Sequence, residues 1–366
     1  MKTQPRKSRK KSFAQLLFFI LLAIVLLLGS LNIAKAKGYL LPSQPEPLVV
    51  DGKVNLDVLT LDQKIAQMVV VTYVPDVMPV WKNLQMGGIY LYSLGSESYF
   101  REVIERIQNN MTIPFLITAD AEGCFSPFQN FWHFAYNSEI HTIGEAFEKG
   151  YREGGLMHEL GFNLNFAPVV DLEDQIWKCR SFPGNSTEIS ELAYSYVLGL
   201  QSQGIMATAK HYPGKTLVGR DPHESLASAE IEAVDLDPYE FLINKGGVNS
   251  IMVSHIITTG EVYSEDVPSD VSQAVIHDLK RRYPGLIISD EIHMLGLRNF
   301  YDSLDELYLA VFKAGNDIVL NFDKDPNEIY HMIQVIKEAV ERGEMSEEEI
   351  DASVTKILEA KGFEVG

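Results

Sequence analysis

The chain has 366 residues, 46% of them hydrophobic, which suits one large α/β domain or two small ones and does not suit bulk disorder. Residues 1–38 hold eight of the 31 lysines and arginines and no acid, so the remainder sets 23 bases against 50 acids, a net charge of −27. That excess argues against nucleic acid as a partner and against an anionic polymer held mainly by charge.

In chain order, residues 1–11 (MKTQPRKSRKK) form a basic segment, and Ser12–Ala34 is an uncharged run of 23 residues. At about 1.5 Å per residue that run can cross a hydrocarbon core of about 30 Å. The bases ahead of it favour a cytoplasmic N-terminus and send the rest outward. Ala34-Lys35-Ala36 also fits the small-x-small pattern of signal-peptide cleavage. The segment therefore reads as a transmembrane anchor or as a signal peptide. The domain beyond is extracytoplasmic, membrane-anchored in the first case and secreted in the second. Residues 35–52, with three prolines, read as a linker, and 53–366 as the folded domain. Cys124 and Cys179 are the only cysteines; in an exported chain such a pair is a disulfide or two separate thiols.

Thr60-Leu61-Asp62-Gln63 has the form of a capping box that opens a helix over LDQKIAQ. Eight short apolar runs follow: 68–73, 87–92, 114–120, 164–172, 205–211, 250–256, 286–291 and 317–322. Helix candidates lie between most of them, among them ESYFREVIERIQNN, IGEAFEKGYREGGLMHEL, STEISELAYSYVLGLQSQ and SDVSQAVIHDLKRRY. The gap between Tyr73 and Gly87 is short for a full crossover. Alternating β and α with mostly continuous apolar strands implies a parallel sheet covered on both faces. Eight such runs in about 260 residues predict a single α/β domain, a TIM-type (β/α)8 barrel.

Polar residues close six of these runs in succession: Asp120, Asp171, Lys210-His211, His255, Asp290-Glu291, and Asn321 with Asp323. In a barrel these are the carboxyl ends of strands, the face that carries active sites. After the fifth run comes KHYPGKTLVGRDPHESL, a loop with two histidines and an aspartate two residues before the second.

Taken together, KHYPGKTLVGRDPH and, in that order along the chain, NFAPVVDL, CRSFPGN, IMVSHI, ISDEIHMLG and AGNDIVL resemble the bacterial β-N-acetylglucosaminidases of glycoside hydrolase family 3. LTLDQKIAQM resembles the family's opening helix, and the likeness runs from about Leu59 to about Lys361. The resemblance implies that Asp290 is the nucleophile, trapping C1 of the sugar as a covalent glycosyl-enzyme intermediate. An ionised Asp290 would be favoured by nearby cations such as Lys210 or Arg180. Read on its own, Asp290 could instead cap a helix that begins near Met294. The resemblance assigns the general acid/base to His223, paired with Asp221, where an imidazole titrating near neutrality suits proton transfer. On its own residues this stretch reads as a solvated surface loop with an ordinary histidine. The resemblance also carries substrate-holding roles to Asp120, Arg180, Lys210 and His211. Asp171 and His255 are expected to brace these residues from behind.

The chain departs from the family pattern at several points. Lys215 and Thr216 stand in a normally glycine-flanked turn, and Pro222 replaces the usual serine between Asp221 and His223. Cys124 replaces a glycine, and Phe128 stands where an arginine would help hold the sugar, which bears on specificity or marks a site that binds without cleaving. Cys124 and Cys179 follow the third and fourth strands, neighbours in a barrel, and are expected to be bridged.

The expected activity is that of a retaining exo-β-N-acetylglucosaminidase acting on cell-wall or chitin-like oligosaccharides. Alternatives are a β-glucosidase or β-xylosidase, a phosphorolytic variant, and a non-catalytic membrane-tethered glycan-binding protein. The glucosidase branch usually takes its acid from an added C-terminal domain, for which no room is expected beyond Gly366. No cofactor is expected. Nor is a metal, because no histidine pair has zinc-like helical spacing and no loop has calcium-binding form.

Overall fold

Runs such as Val69–Thr72 are apolar at successive positions, so both strand faces must be covered. The computed structural model describes residues 19–21, 49–50, 52–219, 221 and 225–366. In it the eight runs are eight strands: β1 (Val69–Thr72), β2 (Gly88–Tyr90), β3 (Leu116–Ala119), β4 (Leu164–Asn165), β5 (Met206–Tyr212), β6 (Ser250–Val253), β7 (Leu286–Glu291) and β8 (Ile318–Asn321). They pair in sequence order, all parallel, and β8 returns to β1 through Val319 opposite Val69, so the barrel closes. The register shifts between β5 and β6 and again between β7 and β8. Those irregularities fall at the strand ends that carry Lys210-His211 and Asp290-Glu291, where bulges re-aim side chains.

The helices lie between the strands. Ahead of β1, α1 (Leu61–Gln67) is closed by the expected capping box, Thr60 Oγ1 accepting from the Gln63 amide. The short first gap holds α2 (Met78–Leu84), of seven residues, which explains its irregular look in the sequence. The outer layer continues with α3 (Glu97–Gln108), α4 (Ile143–Leu160), α5 (Ser186–Gln201) and α6 (Ala233–Asn244). Then come α7 (Gln273–Arg282), α8 (Leu295–Arg298), α9 (Leu304–Ala314), α10 (Pro326–Glu341) and α11 (Glu347–Ala360). α4 and α5 approach at backbone distance: a Cβ at Gly150 would collide with the Tyr196 carbonyl oxygen, and one at Gly199 with that of Phe147.

Two small sheets had no counterpart in the sequence reading. Val49–Val50, Lys53–Val54 and Glu364–Val365 form one, whose first strand falls at the end of the segment expected as a linker. Ser228–Ile231 and Ile257–Gly260 form the other, in parallel register beyond the ends of β5 and β6.

Residues 44–366 form one compact unit; of Met1–Ser43, residues 19–21 are described, as an exposed helical turn. The rest of the segment expected to anchor the chain or to be cleaved lies outside the described residues. Among the described residues no helix is long and apolar enough to cross a membrane.

Candidate active site

β3 and β5 deliver opposite charges to one place. Lys210, on β5, is buried and reaches Asp120 Oδ1 at 2.5 Å and Glu122 Oε1 at 3.3 Å. Arg180, also buried, grips both oxygens of Glu122 at 2.9 and 3.0 Å, so two cations face two carboxylates. The Tyr90 hydroxyl donates to Asp120 Oδ2 at 2.7 Å. Burial pushes the Asp120 carboxyl up, but Lys210 and Tyr90 outweigh it and hold the group below the usual range. For Glu122 burial wins over Arg180 and Lys210, and its carboxyl lies above the usual range.

His211, the next residue on β5, is fixed from both sides. An Arg180 nitrogen lies 3.2 Å from Nε2; a guanidinium only donates, so Nε2 accepts and Nδ1 carries the proton. Nδ1 donates to Asp171 Oδ2 at 2.9 Å. Burial, with Arg180 and Lys210 beside it, drives this imidazole well below its usual pKa, so it stays neutral. Burial pushes Asp171 up to about 7, although the amides of Thr216 and His211 hydrogen-bond to it. Asp171 thus stands behind His211 and also receives the Thr216 amide at 3.2 Å, joining the end of the fourth run to the root of the following loop. Lys215 pins that root as well, reaching Glu230 O at 2.8 Å and Asp235 Oδ2 at 3.1 Å. Asp221, farther along the loop, borders the cavity. His223 lies outside the described residues.

On the opposite side of the barrel, β7 brings Asp290 to the cavity, where its Oδ1 accepts the Glu291 amide at 2.8 Å. Capping is not its role: α8 has Met294 at its N-cap and no side-chain cap bond. Lys210 and Arg180, expected as the cations beside it, are engaged with Asp120 and Glu122. His255 adds positive charge to the surroundings of Asp290. Its Nδ1 lies 2.9 Å from Asp270 Oδ2 and its Nε2 is 2.7 Å from Glu291 O. Burial pulls the His255 imidazole down, but Asp270, with Asp290 adding to it, raises it to about 9, so it is a cation at neutral pH.

The cavity enclosed by these groups has a volume of about 990 Å³. Aromatic residues wall it. Tyr90 stacks on Phe322 at 4.5 Å, and Phe125 meets Trp177 edge to face at 4.9 Å. Cys124 and Cys179 are joined as a disulfide with Cα atoms 5.7 Å apart, next to that second pair. Phe128, which stands where an arginine was expected, does not face the cavity. Its ring is fully buried among Phe100, Phe131 and Phe162, because an aromatic side chain there gains more from the apolar layer behind the loop. Asn321, one of the polar strand ends, turns away too, its amide reaching Met332 Sδ at 3.3 Å.

Sequence reasoning missed Glu122 and the aromatic wall. Glu122 was legible as a second acid two positions after Asp120, and Tyr90 and Tyr92 as alternate residues on one face of a strand end. Asp120, Arg180, Lys210, His211, Asp221 and Asp290 border one cavity, with Asp171 and His255 in contact behind them. Among the described residues no group of three or more His, Cys, Asp or Glu is placed to hold a metal ion. A polar, charge-balanced floor with aromatic walls suits a polyhydroxylated ring: it matches hydroxyls with charge-assisted hydrogen bonds and C–H faces with rings.

Residues 60–360 match the family described as the Glycosyl hydrolase family 3 N terminal domain. A protein of Cellulomonas fimi named beta-N-acetylglucosaminidase/beta-glucosidase is 27% identical over 82% of this chain, which spans 57% of that protein's length. The beta-hexosaminidase LpqI of Mycobacterium bovis is 25% identical, with 82% of each chain covered. Among solved structures, a glycoside hydrolase family 3 beta-N-acetylglucosaminidase from a Paenibacillus species superposes with a TM-score of 0.77 at 27% identity, covering 83% of this chain and 62% of its own.

Proposed function

This chain belongs to glycosyl hydrolase family 3, and from that premise we propose that it is a retaining exo-β-N-acetylglucosaminidase that removes terminal β-linked amino sugars from oligosaccharides. The names of the relatives support the substrate class. One observation carries the mechanism: Asp290 and the Asp120–Lys210–Arg180–His211 floor border a single cavity with Asp221 of the long loop.

In this reading the floor holds the hydroxyls of the terminal sugar. Asp290 attacks C1 and the C1–O bond breaks, giving a glycosyl-Asp290 ester. His223, oriented by Asp221, gives its proton to the departing oxygen. It then takes one from water, which attacks C1 and frees Asp290 with net retention of configuration. His255, a cation just beyond the end of β6, favours the ionised nucleophile. His211 stays neutral and acts by hydrogen bonding.

We place the domain outside the cytoplasm, in accord with the basic and apolar N-terminal segment and with a disulfide that suits an oxidising compartment. Anchoring at a membrane remains part of this proposal. The glycan-binding alternative drew on Phe128, and that ring lies in the core.

The test is hydrolysis of the 4-nitrophenyl β-glycosides of N-acetylglucosamine, glucose and xylose by the purified chain, with and without phosphate. The N-acetylglucosaminide should have the highest kcat/KM. Asp290→Asn should lower kcat on the order of 10⁴-fold, in the range seen when a nucleophile is removed. Turnover indifferent to Asp290→Asn would remove the mechanism, and turnover dependent on phosphate would replace hydrolysis by phosphorolysis.

A further inference from the structure

Trp177 and Phe125 leave 39% and 38% of their surfaces exposed, and both border the cavity. Their rings stand at 88° to each other with centroids 4.9 Å apart, forming an open aromatic corner. The corner is held unusually firmly for two loop residues. Glu122 and Phe125 exchange backbone hydrogen bonds of 2.8 and 3.2 Å, and the Arg180 guanidinium lies 5.5 Å from the Phe125 ring centre. On the other loop, Asp174 accepts the amides of Trp177 at 2.7 Å, Cys179 at 2.9 Å and Arg180 at 2.9 Å. The Cys124–Cys179 disulfide then ties the two loops together. Rings already fixed in place lose little freedom when a ligand stacks on them.

We propose that Phe125 and Trp177 form a platform for the second sugar ring of the substrate, the one that departs, and that the disulfide sets its geometry. The proposal rests on Asp290 as nucleophile. The loops after β3 and β4 lie four and three strands from β7 around an eight-stranded barrel, on the far side from Asp290. Attack by Asp290 expels the leaving group from the opposite face of C1, toward those loops. The Gln175 amide also donates to Leu217 O at 3.0 Å, so the Trp177 loop is tied to the one that carries Asp221. A pyranose presents an apolar face of C–H groups, and stacking it on an indole removes that area from water.

The experiment compares kcat/KM for N,N′-diacetylchitobiose, which has a sugar as leaving group, with that for β-N-acetylglucosaminyl fluoride, whose leaving group is one atom. In Trp177→Ala the disaccharide-to-fluoride ratio should fall about tenfold. It should fall severalfold in the Cys124→Ser/Cys179→Ser chain and recover in Trp177→Phe. Equal losses on both substrates, or no loss on the disaccharide, would overturn the platform. If the wild-type chain turns over neither substrate, the functional reading fails separately, and binding decides the platform. Diacetylchitobiose added to the Asp290→Asn chain should change its tryptophan emission, and Trp177→Ala in that background should abolish the change; an unchanged emission in the Asp290→Asn chain overturns the proposal.

Discussion

His255 gives the site a pH signature of its own. Its folded pKa of about 9 lies above the value near 6.5 expected in an unfolded chain, because the imidazolium is buried against Asp270 and faces Asp290. A raised basic pKa stabilises the fold fully below the unfolded value, and that contribution is lost as pH rises through the folded one. Stability should therefore decline between about pH 6.5 and 9 by on the order of 2–3 kcal/mol. Urea unfolding followed across that range should have this slope in the wild type and lack it in His255→Asn. His211 behaves in the reverse sense, since its depressed pKa means that acidification favours the unfolded chain, which accepts the proton more readily. Two histidines at the ends of neighbouring strands thus do different electrostatic work, one as a neutral hydrogen-bonding group and one as a fixed cation.

The loops after β3 and β4 are short of secondary structure and yet closely tied. Asp174 gathers three amides, Asn137 donates to Arg180 O at 2.7 Å, and the disulfide closes the set. Cross-linking positions 55 apart in sequence removes chain entropy from the unfolded state, a stabilisation of roughly 2–4 kcal/mol. Thermal unfolding of Cys124→Ser/Cys179→Ser should report a loss of that size relative to the oxidised wild type. The loop after β5 uses other devices. Lys215 occupies a left-handed conformation at φ 57° and reaches the Asp235 carboxylate, while Thr216 donates to Asp171. The two residues that depart from the glycine-flanked pattern therefore serve as anchors for the loop root.

Across the whole molecule the two ends of the barrel divide the labour, as the fold allows. The groups proposed for catalysis collect at the carboxyl ends of the strands. The other end carries Asp317, fully buried, which accepts the Ile287 amide and the Ser353 hydroxyl at 2.9 Å each. Lys280 and Lys356 approach it at 3.2 Å, so β7, β8, α7 and α11 meet on one carboxylate. Removing it orphans an amide and leaves two ammonium groups without their buried partner. Asp317→Ala should cost about 3 kcal/mol in denaturant unfolding and leave kcat for glycoside hydrolysis within about twofold of wild type.

The order of eight strands and their carboxyl-end residues could be read from the chain because a buried parallel strand is apolar at every position and stops where it meets water. That periodicity is local, and so are the capping boxes at Thr60 and Thr142. Family motifs added expected roles for Asp290, Asp221 and His223 that no local pattern supplies. What tertiary structure alone decided was partnership. Lys210 reaches Asp120 and Glu122, which follow β3, two strands away around the barrel, and no local pattern announces that pairing. Phe128 could have walled the cavity and instead joined an aromatic core, while Phe125, three residues earlier, stayed at the rim. A sequence fixes which charges and rings exist and roughly which strand end holds them. Which of them touch depends on how the closed sheet twists distant ends together, and Coulomb and packing energies respond only to those final distances.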